Sequence, residues 1–177
     1  MNSKNFSFGF LSLLCISPSI ALAQERIGEV TMKSSMGGFK ITSPGDVKAF
    51  GKIEMSFKGT MLIIGYEGTP IVQGPGLRVE YENKAQKRIE YFGKGTLTLN
   101  GKFRAIQFFG NDLDLHWVGM GICRVYGGYD KNGNIGTYEV KGDKLGYWSS
   151  GGSQFTVPPR DTIIPPKVRV KAKGSGG

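Results

Sequence analysis

Apolar and polar residues alternate with a period of two after Gln24, and this pattern is the strongest constraint on the fold. In residues 47–57 the odd positions are apolar or glycine, and most even positions are charged or polar. Residues 77–82 and 112–117 alternate in the same way. Because side chains of a strand point to opposite faces in turn, this predicts strands with one buried and one wet face. Such strands are typical of antiparallel sheets, whereas buried parallel strands are apolar throughout.

Glycine separates many of these alternating runs, and the chain has 28 glycines among 177 residues. Glycine supplies the backbone conformations that tight turns require, so we expect short strands with a turn every 8–12 residues, roughly as in sandwiches and barrels. The sequence predicts a single antiparallel β-sandwich or barrel-like domain of short, glycine-punctuated strands. A β-solenoid-like stack is the alternative, although its rungs would need a fixed period that the chain does not show.

Two hairpins can be predicted from turn residues. Asn100-Gly101 is a strong turn signal, and it predicts that residues 95–99 pair with residues 103–106. Matching the apolar faces requires a three-residue loop there, with a bulge at Gly101 or Lys102. A second turn at residues 130–134 would carry Val125-Tyr126 into residues 137–140.

Residues 1–23 have the layout of a cleavable signal peptide. Lys4 precedes an apolar run, which closes on Ala21-Leu22-Ala23 before the polar residues 24–26. We therefore predict cleavage after Ala23 and export to the periplasm or the extracellular space. A retained membrane anchor is disfavoured because serines and a proline interrupt the run, which would need about 20 apolar residues. A lipid anchor at Cys15 is not expected, because Leu14 stands where that modification requires a small residue.

The sequence predicts an all-β domain over residues 24–157 and a flexible, Pro-rich tail over residues 158–177. The chain carries a net charge of +9, and the tail is its most basic part. The tail cations predicted to serve in electrostatic attachment are Arg160, Lys167, Arg169, Lys171 and Lys173. Outside the cytoplasm, an anionic envelope or extracellular polymer or a membrane surface is the expected partner, and nucleic acid is not.

Three potential metal ligands lie on the polar side of one predicted strand: Asp112, Asp114 and His116. Carboxylates and imidazole bind many metals, but alternate residues of a strand stand roughly 6.6 Å apart. We interpret the three as a charged surface, and we predict neither a metal site nor a cofactor.

No residue set predicts a catalytic centre. His116 and Cys123 are seven residues apart, so on an unbroken strand they point to opposite faces and cannot form a dyad. Cys123 is expected to be buried. A glycan-acting enzyme would need paired carboxylates across a cleft, and its candidates are Glu80, Glu82, Asp112 and Asp114.

Aromatic residues concentrate in residues 108–148, and they suggest where a ligand could bind. Trp117 lies on the apolar side of its strand and is expected in the core, whereas Tyr126 shares the polar side with His116. Tyr147 and Trp148 precede a Ser/Gly-rich loop, where exposed aromatic rings are typical of partner surfaces. Tyr126, Tyr147, Trp148 and His116 are therefore the predicted ligand-binding residues.

These features predict an exported, non-catalytic β domain that binds or organises cell-envelope or extracellular material. The basic tail would add electrostatic attachment. The alternatives are the glycan-acting enzyme and a structural protein that self-associates through open strand edges.

Overall fold

A computed structural model describes residues 27–127 and 136–159, which form nine β-strands. The strands are β1 (Gly28–Thr42), β2 (Ala49–Ile64), β3 (Ile71–Gln73), β4 (Arg78–Asn83), β5 (Arg88–Phe103), β6 (Ala105–Tyr126), β7 (Thr137–Val140), β8 (Gly146–Tyr147) and β9 (Ser153–Val157). The prediction of an all-β fold is confirmed. In the part of the chain that the structure describes, no helix could span a membrane. The predicted signal peptide, the turn at residues 130–134 and the tail cations lie outside the described residues.

The strands form one antiparallel sheet in the order β3-β5-β2-β6-β1-β7-β8, with β4 paired to β5 and β9 paired to β6. Strands β1 and β6 run in opposite directions, since Gly28 lies opposite Gly119 and Thr42 lies opposite Ala105. Within the described ranges the sheet does not close into a barrel, and it is consistent with a sandwich-like domain.

Strand β6 contacts both edges of β1. Its first part pairs with one edge, and its last residues, 122–126, pair with residues 38–42 along the other edge. Strand β9 then pairs with the outer side of β6 at residues 121–125. The strands must bend strongly for one chain segment to reach both edges of its neighbour.

Two rows of glycine cross the four central strands in register, and they allow this bending. The first glycine row consists of Gly28, Gly119, Gly51 and Gly101. The second glycine row consists of Gly37, Gly110, Gly59 and Gly93. A Cβ atom at Gly110 would lie 2.2 Å from the carbonyl oxygen of Lys58, and one at Gly119 would lie 2.0 Å from that of Phe50. The backbones approach too closely for any side chain, so these glycines lie inside strands and do not end them.

The predicted Asn100-Gly101 hairpin is therefore wrong, and β1, β2, β5 and β6 are longer than the predicted short strands. Strand β5 continues through Asn100 to Phe103, and only Arg104 separates it from β6. Gly101 lies opposite Gly51, whose φ of 142° is accessible to glycine, so it marks a bend in the sheet. The strands flanking the second predicted turn pair with β1 in succession along one edge, so their predicted pairing with each other is also wrong.

The alternating residues of β2 and β6 form the core, as the sequence predicts. Ile53, Met55 and Phe57 are buried on the inner face of β2, and Leu115 and Trp117 are buried on the same face of β6. The pattern fails in β4, where Val79 and Tyr81 are exposed. Among the described residues, β4 pairs only with β5 at the edge of the sheet, and neither of its faces is covered.

Large aromatic side chains pack in the core at both glycine rows. The ring of Phe108 lies 5.7 Å from that of Phe39 and 6.0 Å from that of Phe57, measured between centroids. Trp117 fills the space that the first glycine row leaves, and its Nε1 donates a hydrogen bond to the carbonyl oxygen of Phe50 at 3.2 Å. Trp148 packs over Gly37 of the second row, but its buried Nε1 has no hydrogen-bond partner in the described part of the chain.

Candidate functional site

Two aromatic side chains emerge on the outer face just beyond the second glycine row. Thr60 of β2 lies opposite Phe92 of β5 on one side and opposite Phe109 of β6 on the other. Phe109 is 67% exposed and Phe92 is 41% exposed, although both lie on central strands of the sheet. Because Thr60 is small, an open space remains between the two rings.

This space is a shallow trough with two connected parts. A cavity of about 350 Å³ lies over the second glycine row, between Phe92 and Phe109. Another cavity of about 320 Å³ shares Thr60 and Phe109 with it and continues along β2 past Leu62. We call the combined surface the aromatic trough. Its lining residues are Lys58, Thr60, Leu62, Arg88, Glu90, Phe92, Lys94, Gln107, Phe109 and Asn111, with glycine backbone beneath the first cavity.

The charges around the aromatic trough are mostly positive. Lys58 and Lys94 flank the first cavity, and Arg88 lies at the far end of the second, where Glu90 is the single carboxylate. Among the described residues, none of these four forms an ion pair within 4.0 Å. The guanidinium of Arg88 lies over the ring of Tyr81, and its buried Nε has no hydrogen-bond partner in the described part of the chain. An anionic ligand would therefore meet cations that no carboxylate neutralises.

Tyr126, one of the predicted ligand-binding residues, borders the aromatic trough. Gly38 of β1 lies opposite both Phe109 and Tyr126. A Cβ atom at Gly38 would lie 2.8 Å from Cε2 of Tyr126 and 3.3 Å from Cδ2 of Phe109, so both rings cover this glycine. The half-buried Tyr126 thus extends the apolar surface beyond Phe109.

His116 lies elsewhere, in a network of ion pairs between the two glycine rows. Its Nε2 is 3.0 Å from Oε1 of Glu29, and its Nδ1 is 4.0 Å from Oε2 of Glu54. The second oxygen of Glu29 accepts a hydrogen bond from Lys141 at 2.8 Å, and Lys52 lies 2.8 Å from Glu54. We call this surface the ion-pair face, and it also includes the contact between Lys33 and Asp114 at 3.2 Å.

The cations of the ion-pair face shift the pKa values of its carboxylates. The hydrogen bond from Lys141, with a smaller contribution from His116, lowers the pKa of Glu29 below its usual value. Lys52 lowers the pKa of Glu54 in the same way, and Glu29 raises the pKa of Lys141. The charges on this face therefore stabilise one another.

Of the other predicted ligand-binding residues, Tyr147 is exposed on β8, outside the trough, and Trp148 is buried. The expected exposure of Trp148 is wrong, since only 3% of it is accessible. Gly37, Gly127 and Gly136 leave a slot that its indole ring occupies, and its backbone N–H donates to the carbonyl oxygen of Gly136 at 2.7 Å. The Ser/Gly-rich loop after it suggested exposure, but the slot comes from glycines far away in the sequence.

The structure does not bring the candidate catalytic carboxylates together. Glu80 and Glu82 lie on β4, and β5 and β2 separate them from Asp112 and Asp114 on β6. Glu80 pairs with Arg78, and Asp112 lies at a bulge with a φ of 52°. In the residues that the structure describes, no group of three His, Cys, Asp or Glu side chains could hold a metal ion.

Cys123 is buried in the core, as predicted, with its Sγ 3.8 Å from Sδ of Met32. Burial raises the pKa of its thiol far above the usual value, so the reactive thiolate is not accessible in the folded protein. His116 lies on the outer face of the same strand, which confirms that the two residues point to opposite sides.

Comparisons of the chain with family models, with curated proteins and with solved structures found no match. The function therefore has to be inferred from the geometry of the chain itself.

Sequence patterns did not identify Phe92, Phe109, Lys58 or Lys94 as site residues. One signal was available: Phe108 and Phe109 are adjacent in an alternating strand, so one of the two rings has to face outward. The trough itself could not be found in this way, because its three strands meet only through the register of the sheet.

Proposed function

We propose that this chain is an exported, non-catalytic domain that binds an anionic polymer of the cell envelope or the extracellular space in the aromatic trough. The observation that carries the proposal is the pairing of two exposed phenyl rings with cations that have no carboxylate partners among the described residues. Large exposed apolar groups at the surface of a soluble domain commonly mark a binding site. The basic tail, Arg160, Lys167, Arg169, Lys171 and Lys173, would add non-specific electrostatic attachment.

The two alternatives have less support. The register separates the carboxylates that an enzyme would use by two strands, roughly 14 Å in the plane of the sheet. Self-assembly through strand edges would need long open edges. The strands at the open edges of the described sheet are short: β3, β4, β8 and β9 contain three, six, two and five residues.

The proposal can be tested by calorimetric titration of the mature protein with two polyanions, alginate and polyphosphate. The variant Phe109→Ala should bind the preferred polymer at least tenfold more weakly, because central aromatic contacts commonly contribute about 2 kcal/mol or more. Tyr147→Ala is the matched control, since Tyr147 is also an exposed aromatic residue but lies outside the trough. Unchanged binding by Phe109→Ala would contradict the proposed site.

The role of the tail is tested separately by changing Lys167, Lys171 and Lys173 to glutamine in the full chain. We expect weaker retention on the polymer at low salt and little difference at high salt, because exposed charges are screened within roughly 10 Å at 0.1 M ionic strength. If the triple variant is retained as well as the wild type at low salt, the tail does not contribute to attachment.

A further inference from the structure

We infer that the polymer in the aromatic trough is an acidic polysaccharide. A segment of about four sugars lies along β2, as the spacing of the cations along the strands indicates. One pyranose ring of this segment lies between Phe92 and Phe109. This inference rests on the proposed function and adds the chemical class and direction of the ligand. All the residues that would contact this ligand line the aromatic trough.

The space between the two rings suits a saturated ring. Phe92 and Phe109 lie on the two neighbours of β2, so their backbones are about 9.6 Å apart, twice the spacing between adjacent strands. A pyranose ring offers an apolar C–H face on each side, and it can contact both phenyl rings at once. A polyphosphate chain has no such apolar face and would leave the rings in water.

The positions of the cations indicate the direction of the chain. Lys58 and Lys94 lie on one side of the two rings, and Arg88 lies on the other side. Lys94 and Arg88 are six residues apart on β5, at most about 20 Å because the strand bends at Gly93 between them, and roughly four linked pyranose rings reach that far. Carboxylates near both ends of a four-sugar segment would therefore meet a cation while a ring between them contacts the phenyl groups.

The remaining polar residues of the trough fit hydroxyl groups. Gln107 and Asn111 carry amides that both donate and accept hydrogen bonds, and Glu90 accepts them. Cations alone would suffice for a simple polyanion, whereas sugar recognition combines aromatic contacts with a few amide and carboxylate groups. A membrane surface would favour a protruding apolar patch, and here the rings border cavities.

The test is a titration of the mature protein with oligomannuronates of two to six sugars, with cellohexaose as a neutral chain and polyphosphate as an anion without sugar rings. We expect affinity for the oligomannuronates to rise until four sugars are bound and then to level off. The tetramer should bind about tenfold more tightly than the dimer, because it alone reaches both groups of cations.

Three variants assign the contacts, with Tyr147→Ala as the control. Phe109→Ala should weaken binding of the hexamer by roughly tenfold or more, and Phe109→Trp should restore it because an aromatic ring is retained. Arg88→Gln should weaken binding of the tetramer more than binding of the dimer, because the tetramer is long enough to contact Lys58 and Arg88 together and the dimer is not. Circular dichroism of each variant checks that the fold is retained.

The outcomes separate this inference from the proposed function. If polyphosphate binds as tightly as the hexamer and Phe109→Ala weakens both to the same extent, the sugar assignment is overturned and binding of an anionic polymer in the trough remains. Equal affinity for cellohexaose and the hexamer would overturn the requirement for acidic groups. Failure of every polyanion to bind would overturn both proposals.

Discussion

The second glycine row divides the outer face of the same four strands into two halves with different chemistry. Between the glycine rows, the ion-pair face matches its cations with carboxylates, as Lys141 with Glu29 and Lys52 with Glu54. At the second row and beyond it, the aromatic trough places two exposed rings beside cations without a carboxylate partner among the described residues: Lys58 and Lys94 lie directly before the row, and Arg88 lies beyond it. A face whose charges satisfy one another needs no ligand, whereas the trough has unsatisfied groups of the kind that bind one.

Stability alone does not explain this difference. Water and salt screen exposed ion pairs, so the ion-pair face adds little to the free energy of folding. Exposed phenyl rings on central strands add nothing either, and they increase the risk of aggregation. The position of Phe109 therefore makes more sense as a binding feature than as a packing feature.

The largest expected effect distinguishes two neighbouring rings. Phe108 is buried against Phe39 and Phe57, and its replacement by alanine should lower the free energy of unfolding by about 3–5 kcal/mol. Phe109→Ala should change it by less than about 0.5 kcal/mol, because that side chain is mostly exposed. Urea denaturation measures both values. A loss above about 1.5 kcal/mol for Phe109→Ala would mean that its ring stabilises the fold, and the contrast between the two faces would fail.

A smaller loss of stability is expected at the boundary between the halves. A Cβ atom at Gly110 would lie 2.2 Å from the carbonyl oxygen of Lys58 and 2.8 Å from Cα of Gly59. Because backbone atoms cannot move away easily, Gly110→Ala should cost about 2–3 kcal/mol in urea denaturation. Gly151→Ala is the control, since no heavy atom lies within 4 Å of its new Cβ position. Equal stability of the two variants would show that the second glycine row tolerates side chains.

The sequence predicts those features that depend on one strand at a time. Alternation along β2 places Ile53 and Phe57 inside, and the same rule separates His116 from Cys123, because side-chain direction follows local backbone geometry. Glycine was harder to interpret, since Asn100-Gly101 suits a turn as well as it suits a bend inside β5. The choice depends on Gly51 across the sheet, and register of that kind involves residues about 50 positions apart.

The candidate site is less predictable for the same reason. Its residues come from three separate stretches, around Thr60, Phe92 and Phe109, and no local pattern relates them. Tyr126 was predicted as a ligand-binding residue because it lies on the polar side of its strand, and it does border the trough. Trp148 was predicted as an exposed ligand-binding residue because of the loop beside it, but it is buried in the slot that distant glycines form.

The smallest expected effect concerns acid stability of the ion-pair face. The pKa of Glu29 is lower in the folded protein than its usual value of 4.5, mainly because of Lys141. The folded state therefore binds fewer protons than the unfolded state near that pH, and the contribution of Glu29 is present above about pH 4.5 and lost as the pH falls through the lowered pKa. Glu29→Gln should be slightly less stable than the wild type at pH 7, and the difference should shrink below about pH 4.

Urea midpoints measured from pH 7 down to pH 3 give this difference directly. Glu139→Gln is the control, because Glu139 is exposed on the neighbouring β7 and forms no ion pair within 4.0 Å among the described residues. Its difference from the wild type gives the effect of removing one exposed carboxylate from this region. If Glu29→Gln behaves like the control, the contacts of Glu29 with Lys141 and His116 do not persist in solution. The ion-pair face would then resemble the trough in having unsatisfied charges, and the presence of unpaired cations would no longer distinguish the binding half of the sheet.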